Sequence, residues 1–257
     1  MGFSADWLAL REPADHAARD AGLLVQAAAC AGGPLRVLDL GSGTGSSARA
    51  FAGAGHHGLA WTFFDNDPDL LEIAARAHPD SRTVQGDLGD IDSLPLAGIG
   101  LVTASALLDL MSRDWLEALA VRLQAAQIPF YGALNYDGQM HWSPEQPEDA
   151  AITAHFNMHQ RGDKGTGPAL GPDSGAQAKQ IFAALGFTVS SADSPWRIGP
   201  DQGALHAQLL DGIGAAAGEA GHDSAVAWTA GRHALIATTQ AVIGHMDVLV
   251  LPPQRAL

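Results

Sequence analysis

Short apolar runs alternate with longer helical patterns through the first half of the chain. The earliest run, 36–40, leads into a glycine-rich segment and then into a helical pattern at 46–54. Further strands are predicted at 61–64, 83–85, 99–106 and 128–134, with helices at 68–78 and 113–127 between them. Strands that alternate with helices in this way form a parallel sheet with helices on both faces. The pattern therefore predicts an α/β fold built on a doubly wound, mostly parallel sheet.

The second half of the chain adds elements to this core. A helix at 175–185 and strands at 187–192 and 246–251 bring the predicted sheet to seven strands. Between the last two strands, 202–239 holds two alanine-rich helical segments separated near 218–222. These segments either cover the sheet or mediate a homodimer, and the sequence leaves both options open.

We predict that 1–257 forms a single domain, because α/β domains of this size bury a core well. Its N-terminal segment, 1–33, is predicted to be helical, with a helix at 14–31. Residues 135–174 hold glycines, prolines and histidines where a short connection would suffice, and long loops in compact domains are usually functional. We expect this insertion to form a lid over the substrate.

The charge balance argues against a nucleic-acid partner. Lysine and arginine number 14 against 28 acidic residues, and the net charge of −14 repels a phosphate backbone. Cys30 is the only cysteine, which excludes an internal disulfide framework and a multi-cysteine metal site. No apolar run is long enough to span a membrane. These features predict a cytoplasmic protein with a small-molecule partner and no metal.

The glycine cluster at 41–45 carries the clearest chemical signal. Its glycines follow a strand and precede a helix, so the backbone can turn tightly and approach a ligand closely. A dinucleotide-binding fingerprint places its third glycine three positions after the second, whereas Gly45 follows Gly43 by two. Asp39 suits a ligand ammonium group better than a pyrophosphate. Asp65 ends the next predicted strand, where a carboxylate can accept both ribose hydroxyls of an adenosine.

Three segments in this order resemble motifs of the class I S-adenosylmethionine-dependent methyltransferases. Segment 39–45 resembles the first motif of the family, 64–67 its ribose-binding strand end, and 86–88 the loop whose carboxylate meets the adenine amino group. The resemblance implies S-adenosylmethionine as cofactor and a reversed hairpin of the last two strands. It also implies cofactor contacts from Asp39, Gly41, Ser42, Gly43, Gly45, Asp65, Asn66, Asp87 and Leu88.

Segment 103–110 resembles the fourth strand end of the family, which borders the methyl group, and Ser105 is expected to line it. An Asn-Pro-Pro-Tyr segment is missing there, which argues against methylation of a nucleobase amine or an amide. The implied acceptor is a small molecule with an oxygen, nitrogen or carbon nucleophile. Arg19, and with less support Arg11, are candidates to meet the cofactor carboxylate.

Candidate acceptor-binding residues fall in the 135–174 insertion. His155 and His159 are four residues apart in a predicted helix and can share one face, with His159 the preferred general base. Arg161 and Lys164 would clamp a carboxylate or phosphate of the acceptor. Tyr136 is a candidate to line the same pocket.

Two other functions are compatible with the sequence. A Rossmann-type NAD-dependent oxidoreductase would share the strand, glycine loop and helix. A protein that binds S-adenosylmethionine without turnover, such as a subunit or sensor, would share the whole cofactor site. Cofactor specificity separates the first alternative from a methyltransferase, and release of adenosylhomocysteine separates the second.

Overall fold

The computed structural model describes residues 3–31 and 36–253. The helices are α1 (Ala5–Ala18), α2 (Ala21–Cys30), α3 (Ser46–Gly53), α4 (Pro68–Ala77), α5 (Arg113–Ala126), α6 (Asp149–Gln160), α7 (Ser174–Ala184), α8 (Gly203–Glu219) and α9 (Ala225–His233). The strands are β1 (Arg36–Leu40), β2 (Ala60–Asp65), β3 (Arg82–Gln85), β4 (Ile99–Ser105), β5 (Phe130–Ser143), β6 (Thr188–Asp193), β7 (Trp196–Ile198) and β8 (Gln240–Leu251).

All of these strands belong to one sheet, in the order β3-β2-β1-β4-β5-β8-β6, with β7 paired to β8 beside this path. The first five strands are parallel. β8 is antiparallel to both β5 and β6. The predicted mostly parallel sheet with a reversed C-terminal hairpin is therefore confirmed. The predicted number of seven strands omitted β7, which has only 3 residues and gives no periodic signal.

Each face of the sheet is covered by helices. On one face, Leu119 of α5 and Phe182 of α7 are fully buried in a cluster that includes Phe130 of β5. On the other face, Phe51 of α3 packs with Phe63 of β2 in a cluster that α2 and α4 complete. Burying this apolar surface on both faces is the dominant stabilising contribution of such a fold.

Strands β5 and β8 run beyond the parallel sheet as a two-stranded extension. Their pairing continues from Asn135 opposite Met246 to Ser143 opposite Gln240, with irregular register between. The prediction of an insertion beginning at 135 was wrong in one respect, because this stretch continues a strand rather than forming a loop. Alternating apolar residues such as Met140 and Trp142 are buried there, and their pattern was overlooked among the glycines and polar residues.

The extension carries its own apolar cluster. Residues of α1, α6, α8 and α9 pack on it, among them Ile152, Ile213 and Trp228. The helices α8 and α9 therefore cover an extension of the sheet, which is one of the two roles predicted for 202–239. Dimerisation stays a prediction.

The N-terminal segment folds as two helices where one, at 14–31, was predicted. Ser4 caps α1 by accepting a hydrogen bond from the backbone N–H of Trp7, so this helix starts well before residue 14. Asp20 caps α2 by accepting from the N–H of Leu23 at 2.7 Å, and the chain turns at this cap. Residues 1–2 and 32–33 of the predicted segment lie outside the described residues.

A buried carboxylate joins this second helix to the sheet. Asp247 of β8 has no exposed surface and accepts three hydrogen bonds. The donors are the hydroxyl of Tyr131 at 2.7 Å, the N–H of Leu134 at 2.8 Å and the N–H of Asp20 at 3.0 Å. The bond to Leu134 fixes a residue with a positive φ of 56° at the irregularity in β5. Asp247 thus holds the start of α2 and the start of the extension together.

We expect Asp247→Ala to lower the free energy of unfolding by about 3–5 kcal/mol, because three buried donors lose their acceptor. Tyr131→Phe removes only one of these bonds and should cost about 1–2 kcal/mol. Urea unfolding followed by circular dichroism measures both, with the exposed Asp80→Ala as the control. A loss below about 1 kcal/mol for Asp247→Ala would contradict the role of this network.

Candidate active site

A cavity of about 370 Å³ opens at the carboxyl ends of β1, β2 and β4. Ligand sites of open α/β sheets lie at this edge, where loops after adjacent strands diverge. The walls are formed mainly by loop segments and by α1. They include 41–44, 65–67, 87–89, 105–107 and 164–166, Leu8, Arg11 and Asp15 of α1, and further residues from α3, α4 and 110–111.

The glycine loop forms one wall and owes its shape to positive φ angles. Gly41 and Gly43 have φ of 60° and 52°, a region that other residues seldom adopt. A Cβ added at Gly43 would lie 3.0 Å from the side chain of Leu8, so the loop also fits closely under α1. Gly45, by contrast, precedes α3 in a left-handed conformation and does not line the cavity. Of the three predicted glycines, two therefore face the cavity.

Asp65 connects the glycine loop to the end of β2. Its Oδ2 accepts a hydrogen bond of 2.7 Å from the backbone N–H of Gly43, and its Oδ1 accepts one of 3.0 Å from the N–H of Asp67. The side chain is buried yet lines the cavity. Asn66, next in sequence, lies beside it on the same wall. The carboxylate is thus fixed in orientation at the position predicted for ribose recognition.

Asp39 lies beneath the loop instead of on the cavity wall. Its side chain is fully buried, and its Oδ1 accepts a hydrogen bond of 2.7 Å from the hydroxyl of Thr103 on the neighbouring strand. Burial raises the pKa of Asp39 to about 6, against the opposing effect of its hydrogen bonds. The position of Asp39 therefore gives no support to a direct contact with a ligand ammonium group. It is consistent with a carboxylate that holds the glycine loop from below.

Ser105 and Arg19 meet at the end of β4. A guanidinium nitrogen of Arg19, Nη2, donates to Oγ of Ser105 at 2.9 Å. Ser105 lines the cavity, while Arg19 lies behind it, almost fully buried and with no partner for its Nε among the described residues. Arg19 is therefore one side chain away from the cavity.

The loop after β3 provides the remaining predicted wall. Asp87 and Leu88 both line the cavity. Oδ1 of Asp87 accepts a hydrogen bond of 2.8 Å from the N–H of Gly89, which holds the loop in a tight turn. The indole N–H of Trp115 donates to the carbonyl of Leu88 at 2.6 Å and anchors this loop to α5.

The acceptor residues predicted in 135–174 are dispersed. Lys164 lines the cavity from a loop that is tied to the core by a hydrogen bond from the N–H of Ser112 to the hydroxyl of Thr166. Arg161 is exposed and pairs with Asp173. Tyr136 is buried away from the cavity wall. Among the predicted clamp residues, only Lys164 reaches the cavity.

The two histidines contact the end of α8 and the connection that follows it. Nε2 of His159 lies 2.9 Å from Oε2 of Glu219 at the end of α8. The ring of His155 lies 4.6 Å from the ring of His222. Neither histidine lines the cavity, so their position gives no support to a role as general base.

Two cavity-lining residues, and one buried carboxylate outside the lining, were not predicted as acceptor groups. Arg11 lines the cavity and is paired with Asp15, four residues later on the same helix. Opposite charges four residues apart on a helix are a recognisable sequence pattern. The predicted helix began at residue 14 and therefore did not include Arg11. Asp109, the charged residue within an apolar run, has an Oδ1 that is buried without a partner. Burial raises the pKa of Asp109 to about 6.

Comparisons with known proteins agree with this site. Residues 37–126 match the family described as a methyltransferase domain. A putative type II methyltransferase from Anaeromyxobacter dehalogenans superposes over 91% of this chain and 97% of its own, with a TM-score of 0.54 and 15% identity. The cyclopropane synthase MmaA2 from Mycobacterium tuberculosis superposes over 96% and 94%, with a TM-score of 0.53 and 12% identity. No curated protein sequence matches the chain.

The family match covers the glycine loop and the ends of β2 and β4, and the structural matches share the fold. Residues 37–126 therefore match a methyltransferase domain, and the chain has the fold of the class I S-adenosylmethionine-dependent methyltransferases, whose methyl donor is S-adenosylmethionine. The match gives no support to the alternative of an NAD-dependent oxidoreductase. Sequence reasoning had disfavoured it through the spacing of Gly43 and Gly45.

The described part of the chain has neither a helix suited to span a membrane nor a cluster of metal-ligating side chains. None of its helices combines the length and the apolar character needed to cross a membrane. Its histidine, cysteine and acidic side chains form no group of three or more that could hold a metal ion.

The raised pKa of Asp39 makes the free energy of unfolding depend on pH. The folded protein keeps a proton on this carboxyl up to about pH 6, whereas the unfolded chain releases it near 3.8. Stability from this group is therefore present below pH 4 and is lost as the pH rises to 6, by about 3 kcal/mol.

Urea unfolding between pH 4 and pH 7 measures this effect as a difference between variants. Asp39→Asn, which has no proton to lose, should gain stability relative to the wild type as the pH rises through this window. Asp69→Asn, at an exposed position, is the matched control. Parallel stability curves for wild type and Asp39→Asn would show that Asp39 titrates normally.

Proposed function

We propose that this methyltransferase acts on a small-molecule acceptor that binds in the same cavity as the cofactor. The observation that carries the proposal is that residues outside the cofactor motifs also line the cavity. They are Leu110, Met111 and Lys164, together with Arg11 of α1, and we take them as its acceptor end. A site covered by a helix and a loop suits an acceptor that fits inside it, and cavities of about 300–1,000 Å³ are typical of small-molecule sites.

The net charge supports the same class of acceptor. At −14, the chain repels nucleic acid, and the two cationic side chains of the cavity lie inside it rather than on a basic surface. An anionic acceptor is compatible with those two cations. The acceptor atom, whether oxygen, nitrogen or carbon, is left to experiment.

The cavity fits the cofactor by two features of its own residues. A Cβ at Gly43 would fill the space beneath Leu8, so the backbone is open only because glycine stands there. The hydroxyl of Ser42 on the same loop is buried without a hydrogen-bond partner among the described residues, as expected of a group that awaits a ligand. A nucleoside with an amino-acid tail would supply that partner.

We assign the cofactor contacts accordingly. Asp65 and Asn66 would bind the ribose, Asp87 and Leu88 the adenine, and the backbone of 41–43 the amino-acid tail. Ser105, held by Arg19, would border the tail and the methyl group. Asp39 and Gly45 would act through the shape of the loop, by supporting it from below and by starting α3.

The chemistry requires little beyond alignment. When bound, S-adenosylmethionine supplies an electrophilic methyl carbon on a sulfonium, and the nucleophile must approach it in line. The chain contributes by holding both ligands at fixed positions and by excluding water under α1. His155 and His159 have no part in this mechanism, since neither lines the cavity. A nucleophile that is already anionic needs no base.

We expect Asp65→Ala to weaken adenosylhomocysteine binding by about 10- to 100-fold, because charged hydrogen bonds to the ribose and to the glycine loop are both lost. Calorimetric titration measures this effect, with Asp69→Ala on α4 as the exposed control. NAD should give no heat. Full affinity in Asp65→Ala would remove the assignment of the ribose site.

Methyl transfer itself is tested by incubating the protein with S-adenosylmethionine and panels of small acceptors, and by measuring adenosylhomocysteine release. We expect release only with a suitable acceptor, and abolished release in Gly43→Leu, whose side chain would clash with Leu8. Binding of the cofactor with no release across broad panels would favour the alternative of a non-catalytic binding protein.

A further inference from the structure

We propose that Arg11, together with Lys164, forms an anion-binding subsite that selects acceptors carrying a carboxylate or phosphate group. The inference rests on the proposed function, because it concerns the acceptor end of the same cavity. It replaces the predicted clamp of Arg161 and Lys164, since Arg161 pairs with Asp173 on the surface.

Two neighbours, Asp15 and Trp196, hold Arg11 in a fixed orientation. Its Nε and Nη2 donate to the two carboxylate oxygens of Asp15 at 2.9 and 3.1 Å. The guanidinium carbon lies 4.9 Å from the ring centre of Trp196, which stacks beneath the cation. The indole N–H of Trp196 also donates to Asp15 at 2.9 Å. With 8% of its surface exposed, Arg11 has almost no freedom to move.

One edge of the guanidinium is left without protein acceptors. A guanidinium has five N–H donors, and Asp15 takes two of them. No described residue accepts a hydrogen bond from Nη1, although Arg11 lines the cavity. A buried, oriented fork with free donors is the geometry that binds a carboxylate or phosphate in bidentate fashion. Because its orientation is already fixed, little entropy is lost when an anion binds.

Lys164 supplies the second cation. It lines the same cavity, and no described carboxylate lies within salt-bridge distance of its ammonium. The second charge matters because Asp15 offsets that of Arg11, and the carboxylate of Asp109 also lies near this arginine. Three further carboxylates line the cavity on the loops assigned to the cofactor, so an anionic ligand is attracted where it contacts both cations directly.

Two different ligands could supply the anion that Arg11 and Lys164 bind. The anion is either a group on the acceptor, as proposed, or the carboxylate of the cofactor's own amino-acid tail. The acceptor is favoured because Arg11 lies on α1 and Lys164 on the loop after α6, whereas Arg19 and Ser105 stand at the end of β4 where the tail is assigned. Experiments with and without the tail separate the two sources.

The first experiment titrates inorganic phosphate, and separately acetate, into protein saturated with adenosylhomocysteine, by calorimetry. We expect Arg11→Lys and Lys164→Gln each to weaken phosphate binding by about tenfold or more, because each removes a charge-assisted contact. The controls are Arg113→Gln on α5 and Lys179→Gln, the only other lysine of the chain. Equal phosphate binding in all variants, or none in the wild type, would overturn the subsite.

Removing Arg11 alone leaves Asp15 as a buried charge, and the protein could fail to fold. The double variant Arg11→Gln, Asp15→Asn removes both charges and keeps an oxygen for Trp196. We expect it to retain the wild-type thermal unfolding midpoint within a few degrees and still to lose phosphate binding. Retained phosphate binding in this folded variant would refute the role of Arg11.

The second experiment compares adenosylhomocysteine with methylthioadenosine, which lacks the amino-acid tail. We expect Arg11→Lys to bind both with wild-type affinity. A loss confined to adenosylhomocysteine would mean that Arg11 holds the cofactor tail, and would overturn the proposal. If the wild type binds neither nucleoside, the cofactor site assigned under the proposed function has failed, which is a different result from loss of the anion subsite.

Discussion

The antiparallel pairing of β5 and β8 is the constraint on which the rest of the structure depends. Near the parallel sheet, the two strands bury residues of the main core. Beyond it, they continue as a ribbon that cannot stand alone in water, because both of its faces are apolar in places. Helices α1, α6, α8 and α9 cover that ribbon. One of these, α1, thereby comes to lie over the cavity.

Buried polar groups fix the elements that the apolar cores leave undetermined. Asp247 joins α2 to the irregular start of the extension, and Asp15 joins α1 to Trp196 of β7. A third example is Asp149, which accepts from both Arg232 and the indole of Trp228 and so ties α6 to α9. Each carboxylate is fully hydrogen-bonded, as buried charges must be. Together they orient the helices around the cavity.

The cavity combines two kinds of wall. The cofactor end is formed by loops that follow parallel strands, and Asp65 holds the glycine loop in shape. The rest of the wall includes α1 and the loop that contains Lys164, and the extension packs with α1 and with α6, which precedes that loop. The family match covers 37–126 and therefore includes the first kind of wall but neither α1 nor Lys164. This division explains why the family match leaves the acceptor unnamed.

The sequence by itself determined the parallel α/β core and the cofactor motifs. These follow from local rules, because a strand, a positive-φ glycine turn and a helix are encoded within about ten residues. Asp39 and Asp65 could be located near the strand ends for the same reason. The sequence could not show that Asp39 is buried beneath the loop. The reversed hairpin was expected only from the family resemblance, because the spacing of the last strands does not show their direction.

Only the tertiary structure decided what surrounds the acceptor. Periodicity placed His155 and His159 on one helix face but could not say that this face packs against α8. Periodicity also could not predict the contact between Arg11 and Trp196, because the two residues are 185 positions apart in the sequence. Contacts between distant segments depend on how the helices pack on the sheet, and no local pattern encodes that packing.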